Sequence, residues 1–234
     1  KENILPNEDV EVSKWMHKVL KRKKVDIQTD TMATEIDDEY ILVSIGVEGN
    51  SSGFGLKKIG IEIGSNNHII VDKNGKTNLD NIYAVGDVIG PPWLAHVSSS
   101  EGLYVVEHIA KLSPKKIDYD CVPACTYSKP EIGSIGLSQK ILDERGIDYK
   151  VVKSFFNANG KAVASDSTEG FIKILVSDKN QILGAHIIGS NATEMISEFS
   201  LAMSNNLSVE NILDSIHPHP TFSEAIFETL MQLR

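Results

Sequence analysis

The sequence predicts an α/β chain whose first half looks like part of a doubly wound sheet and whose second half is an α+β module. Two apolar runs in the first half, residues 40–46 and 81–87, read as buried strands ending in Gly and in Gly-Asp. From about Tyr119 the pattern changes to short strands joined by hairpin-like turns, and the tail is helical. No internal repeat or low-complexity tract breaks this order.

Val12, Trp15, Met16, Val19 and Leu20 recur at helical spacing, with Lys18, Lys21, Arg22, Lys23 and Lys24 on the other side. The segment reads as an amphipathic helix with a solvated Lys face, and phosphate binding by the basic run is the weaker reading. The strand at 40–46 is followed by a Gly/Ser/Asn loop over 46–55. A strand at 69–72 then leads into an Asn74-Gly75 turn. After the strand at 81–87, a helix is expected over 98–111, with Ser98 and Glu101 as a capping box and Val105, Ile109 and Leu112 as its apolar stripe. Farther on, strands are expected near 124–128, 134–137, 150–156, 171–176 and 182–188. A helix over 138–145 is stopped by Gly146, residues 178–181 make a hairpin, and helices over 193–205, 208–213 and 221–233 close the chain.

The 234 residues are enough to bury a core without disulfide or metal staples. The net charge of −9 repels phosphate backbones and anionic lipid, which argues against nucleic-acid and membrane-surface roles. No apolar run approaches the roughly eighteen residues of a membrane span. Two cysteines, Cys121 and Cys125, are too few for a disulfide framework and fit a reducing compartment. The chain starts at Lys1 rather than Met and stops at Arg234 directly after an amphipathic segment, so both ends read as cuts.

The densest chemical cluster is His217-Pro218-His219-Pro220-Thr221-Phe222-Ser223-Glu224. Pro220 suits the first position of a helix, which leaves the His219 ring projecting outward and Glu224 one turn inside, able to reach back. A carboxylate on one imidazole nitrogen fixes the tautomer and leaves the other nitrogen as a base. The same residues also read as a surface His pair at a Pro-stiffened helix start, and less well as a metal site built on His217 and His219. Val85-Gly86-Asp87 puts a carboxylate at a strand's carboxyl end beside a residue without a side chain, where a sugar-like hydroxyl could come close. A turn with Asp as a cap is an equal reading. Gly53-Phe54-Gly55 lacks the third Gly of a dinucleotide fingerprint, and Cys121 and Cys125 read as partly buried thiols rather than a redox couple. No Walker loop, nucleophile elbow or zinc spacing is present.

Taken together, Ile4-Leu5-Pro6, Ile45-Gly46, residues 56–61 and 81–88, Leu94-Ala95-His96, Glu101-Gly102, residues 130–137 and residues 217–225 follow one family in order. The chain resembles the dihydrolipoamide dehydrogenase branch of the flavoprotein pyridine nucleotide-disulfide oxidoreductases. The doubled His-Pro before Thr221 favours that branch over glutathione reductase, which remains the alternative within the family. The resemblance implies the C-terminal part of a FAD/NAD-binding doubly wound domain pair followed by an α+β dimerisation domain. Its boundaries would be residues 1–46 for the end of the NAD-binding domain, 47–118 for a central segment completing the FAD-binding domain, and 119–234 for the interface domain.

The resemblance also implies roles. Asp87 would hold the FAD ribityl chain, with Gly86 allowing close approach, and Trp93, Leu94, Ala95 and His96 would line the flavin, Trp93 standing where the family often has Met. Gly46 would lie beside the NAD. His219 would take a thiol proton from dihydrolipoamide, with Glu224 orienting it, across a homodimer formed by the C-terminal domain. Electrons would pass through an enzyme disulfide and FAD to NAD⁺, serving the lipoyl domains and E2 core of 2-oxo acid dehydrogenase complexes in the cytoplasm, or in the mitochondrial matrix of a eukaryote. The family's Cys-x₄-Cys pair and both Gly-rich fingerprints would lie upstream of Lys1. The chain alone is therefore expected to hold little cofactor and to act as a dimerisation and docking module.

Overall fold

In the computed structural model, which describes every residue except Thr34, all six residues of the strand Phe171–Val176 (β4) are buried. Side chains alternate across a strand, so burial along its whole length requires cover on both faces. β4 is next to the centre of a five-stranded antiparallel sheet. The other strands are Ala124–Thr126 (β1), Glu131–Gly136 (β2), Lys150–Phe155 (β3) and Ile182–Gly189 (β5), in the order β1-β2-β5-β4-β3. The β4–β5 hairpin pairs Ile174 with Ala185 and is irregular at Leu175/Val176.

One face carries Ile135, Ile172, Ile174, Ala185 and Ile187. It packs under the helices Ala192–Ser204 (α5) and Glu224–Leu230 (α7), through Met195, Ile196, Phe199, Ile226 and Leu230. The opposite face carries Ile132, Phe171 and Ile188, covered by Val12, Met16 and Val19 of the helix Val10–Arg22 (α1). Lys173 shares the parity of Phe171 and so points the same way. Its Nζ reaches Asp9, the N-cap of α1, and Glu11. The short helices Gln139–Arg145 (α3), Gly160–Ala164 (α4) and Val209–Leu213 (α6) connect these layers.

The two compact units are Lys1–Thr34 with Tyr119–Arg234, and Glu35–Asp118. The first cut falls twelve residues before the expected boundary at 46/47. The reason is physical: α1 buries its apolar stripe on the sheet face and locks Asp9 onto Lys173, so it groups with that sheet rather than with the residues that follow it.

The second unit has little regular structure besides the helix Ala95–Ile109 (α2). Residues 40–46 are not the buried strand that their composition suggests. They form no strand, and Leu42 and Ile45 are each 93% exposed. A lone strand is not stable, and no described strand pairs with this run. Residues 81–87 are also not a strand. They make one bridge, Lys76 to Tyr83, before Gly86, at φ 76°, opens a short turn over Gly86–Ile89. Residues 69–72 likewise contribute only the bridge from Ile63 to Ile69.

α2 begins a turn earlier than expected, and the Ser98–Glu101 capping box does not form. Glu101 is buried and accepts the Gly86 N–H at 2.7 Å, while Ser98 Oγ donates to the Leu94 carbonyl. Val105 is buried, but Ile109 and Leu112 face outward. A capping box does occur at Ser208 and Asn211 of α6. Pro220 lies outside α7, which starts at Glu224. The Thr221 N–H donates to Glu224 Oε2, closing a turn ahead of the helix.

Candidate functional site

His219 and Glu224 meet at the start of α7, with His219 Nδ1 2.8 Å from Glu224 Oε1. The other Glu224 oxygen accepts the Thr221 N–H at 2.8 Å, so both carboxylate oxygens are oriented. The backbone bond from Thr221, followed by the bond from His219, holds the Glu224 carboxyl below its usual range. The His219 side chain is 77% exposed while Glu224 is 20% exposed. The carboxylate is thus a fixed base plate, and the ring is presented outward with Nε2 as its second proton site. An imidazole held on one nitrogen by a carboxylate and presented to solvent on the other can act as a general base.

The loop that carries His219 is tied down by groups the sequence did not flag. Asn159 Oδ1 caps α4 by accepting the Ala162 N–H, and its Nδ2 donates to the Thr221 carbonyl at 3.1 Å. Phe222 packs edge-on against Phe156. His217 does not join His219 at a common point. Its Nε2 lies 2.9 Å from Glu198 Oε1 on α5, and its Nδ1 3.2 Å from the Ser215 carbonyl. Asn159 and Glu198 lie far from the loop in sequence, so no local spacing marks them. A cavity of about 330 Å³ beside the loop is lined by Glu194, Glu198, Lys161 and Thr221 among others.

In the second unit, Gly86 is pressed against α2. A Cβ there would sit 2.8 Å from Ser98 Oγ, so the close approach that Gly86 permits is to the helix itself. Asp87 follows, itself exposed, on the turn Gly86–Ile89, which packs on α2. The first turn of α2 has no side-chain cap at Leu94, which leaves it polar at its N-terminal end. Trp93, Ala95 and His96 are exposed and Leu94 is half-buried. A cofactor hydroxyl could donate to the exposed Asp87 carboxylate, and an anionic group could meet the N–H groups at the start of α2. Gly46 is not part of any such cluster. It is exposed in a segment without regular structure, and nothing lies within 4 Å of where its Cβ would be.

Cys125 lies on β1, with its Sγ 3.9 Å from the Thr193 carbonyl. Burial pushes its thiol up, the opposite of an activated thiol. No group of described residues could hold a metal ion, and no described helix is long and apolar enough to cross a membrane.

With this geometry in hand, the comparisons with known proteins define the class. Residues 1–102 match the pyridine nucleotide-disulphide oxidoreductase model, and residues 122–230 match the dimerisation domain of the same group. The chain belongs to the pyridine nucleotide-disulphide oxidoreductases. Within that class its similarity is to dihydrolipoyl dehydrogenases. One from Bacillus subtilis is 40% identical over 98% of this chain and 53% of its own length. One from Zymomonas mobilis is 35% identical over 97% of this chain and 54% of its own. The mitochondrial enzyme of Caenorhabditis elegans is 40% identical over 82% of this chain. The chain spans about half the length of the curated relatives it matches. Among solved structures, LpdA from Mycobacterium tuberculosis superposes with a TM-score of 0.91 at 25% identity, over 100% of this chain and 55% of that one. The HOCl-induced flavoprotein disulfide reductase RclA from Escherichia coli shares the fold, with a TM-score of 0.86 at 24% identity, over 98% of this chain and 57% of that one.

Proposed function

We propose that this chain is the C-terminal half of a dihydrolipoyl dehydrogenase that oxidises dihydrolipoamide to lipoamide with NAD⁺ as the final acceptor. The observation that carries the reading is the outward-facing His219 ring bonded to a Glu224 whose two oxygens are both engaged. Thiolate, not thiol, is the attacking species in disulfide exchange, so a base must take a proton from the substrate near neutral pH. His219 Nε2 accepts that proton, and the Glu224 carboxylate stabilises the imidazolium that forms. The substrate's two thiols become one disulfide, and the two electrons leave with NAD⁺.

FAD supplies the two-electron relay when bound, and Asp87, Gly86 and the Leu94–His96 end of α2 are the residues that would hold it. The reading includes a homodimer through residues 122–230, the range matching a dimerisation domain. It also includes lipoyl groups on a 2-oxo acid dehydrogenase complex as partners, and a cytoplasmic or mitochondrial-matrix location. Gly46 and the segmentation at 46/47 and 118/119 belong to the same reading, with Gly46 placed beside NAD.

A second reading applies to the 234 residues by themselves. The raised Cys125 thiol cannot stand in for a redox pair, so alone this chain dimerises and docks without turnover. The test is NADH formation from dihydrolipoamide by the intact, FAD-loaded protein and by the 234-residue chain. Turnover by the intact protein alone supports both readings. Activity on glutathione disulfide with none on dihydrolipoamide would move the protein to another branch of the family.

A further inference from the structure

The segment that presents His219 has almost no backbone scaffold of its own. The Ser215 N–H bonds to the Ile212 carbonyl and the Ala225 N–H to the Phe222 carbonyl, and among the described residues no backbone–backbone hydrogen bond involves 216–221. Pro218 and Pro220 have no N–H to give. Ile216 is 99% exposed, so the stretch is not anchored by burying that residue either.

Side chains hold it instead. On the C-terminal side of His219 the anchors are the Thr221 N–H to Glu224, the Asn159 amide to the Thr221 carbonyl, and Phe222 on Phe156. On the N-terminal side, the bond that reaches another element is His217 to Glu198. The His217 side chain is only 9% exposed, and its ring lies 5.9 Å from that of Phe227 on α7. Both ring nitrogens face acceptors, a carboxylate oxygen and the Ser215 carbonyl, so any N–H the ring carries has a partner waiting.

We propose that His217, braced against Glu198, is a positioning residue that fixes the direction of the His219 ring by pinning the loop to α5 two residues before it. This rests on the reading of His219 as the base. His217 also helps hold the Glu224 carboxyl low, after Thr221 and His219, but with 9% of its side chain exposed against 77% for His219, the brace itself takes no part in proton transfer. Its effect is geometric: the His219–Glu224 bond constrains Nδ1, and the brace constrains the backbone from which the ring hangs. A swing of about 1 Å at a general base lowers its efficiency sharply without altering how substrate binds elsewhere.

The test uses the intact, FAD-loaded protein with H217A, E198A, the double variant, and the conservative H217Q, whose amide can still donate to Glu198. In H217A and E198A, kcat for dihydrolipoamide should fall about tenfold or more while KM stays within about twofold. The double variant should lose no more than either single one, because the two residues act as one unit. H217Q should recover most of the rate, which a loss of general packing would not allow. If H217A does not fold, E198A and E198Q give the same comparison from the other side.

A second readout does not depend on turnover. With histidine ring nitrogens isotopically labelled, the His219 Nδ1 signal reports its bond to Glu224. It should move toward the free-histidine position in H217A and E198A and return in H217Q. Wild-type protein without dihydrolipoamide turnover would sink the proposed activity, while this signal would still judge the brace. Unchanged kcat and an unchanged His219 signal in both alanine variants would overturn the inference.

Discussion

Lys173 Nζ lies 2.9 and 3.0 Å from the two carboxylate oxygens of Asp9, which is 164 positions away in the chain. Solvent reaches neither side chain. Glu11 adds a third oxygen at 2.8 Å, and Lys153 bonds the other Glu11 oxygen while lying over the Phe171 ring. Burial pushes the Glu11 carboxyl up, but Lys153 and Lys173 outweigh it and hold it below its usual range. Asp9 has a second duty, because its Oδ1 accepts the Glu11 N–H and caps α1. One residue therefore starts the helix and neutralises the buried ammonium that the helix covers.

Removing one member of a buried ion cluster leaves an uncompensated charge, whereas replacing both partners by apolar groups is often neutral. Asp9→Ala should therefore cost roughly 3–5 kcal/mol in urea unfolding. The double change Asp9→Leu with Lys173→Met should recover most of that loss. A double variant as unstable as the single one would show that the cluster contributes more than charge balance.

Gly86 sits at φ 76° with its Cα pressed against Ser98. Gly86→Ala meets both a disfavoured backbone conformation and a contact at 2.8 Å. We expect a loss of about 1–3 kcal/mol for that unit, seen as a lower thermal midpoint. Ser98→Gly in the same chain should relieve the steric share but not the backbone share.

How much of this was legible in the sequence depended on where each element found its partners. The strand at 171–176 has the bounds expected from its apolar run, because its neighbours β5 and β3 are nearby in the chain. Ser138 and Gly146 bracket α3 as expected, since cap chemistry is local. Residues 40–46 have the same composition as a buried strand, but no described strand pairs with them. The spacing of Glu101 to Ser98 predicts a cap, yet a buried amide on Gly86 competes for the same carboxylate. The His219–Glu224 contact was legible because both residues lie on one short segment, whereas Glu198 and Asn159 reach that segment only through the fold.

His186, on β5 opposite Lys173, is 3% exposed, and its Nε2 bonds the Leu137 carbonyl. Burial drives its pKa down; Asp9 and the Leu137 bond oppose that shift, and Lys173 reinforces it. A histidine with a lowered native pKa binds fewer protons folded than unfolded. Its contribution is fully present above the unfolded value of about 6.5 and is lost as pH falls from there toward the native value. The thermal midpoint should therefore drop over that window in the wild type. His186→Gln, which retains an N–H for the Leu137 carbonyl, should show a flatter profile there. An identical slope in both proteins would assign the acid loss to other groups.

Glu224 is held below its usual range by the Thr221 N–H first and His219 second, so it stays ionised as pH falls through the ordinary carboxylate region. The His219–Glu224 pair therefore keeps its anion throughout the neutral range and loses it only on the acid side of the ordinary carboxylate range. Glu224→Gln keeps the shape but removes the charge that stabilises the imidazolium. His219→Gln removes the proton acceptor altogether. In the intact, FAD-loaded protein, each should lower dihydrolipoamide turnover by roughly 10²–10⁴-fold, the span a positioned general base contributes. The flavin absorbance should remain, because neither residue belongs to the unit that carries Asp87. Near-normal turnover in both variants would remove the pair from the chemistry, and loss of flavin with either change would point instead to a role in assembling the protein.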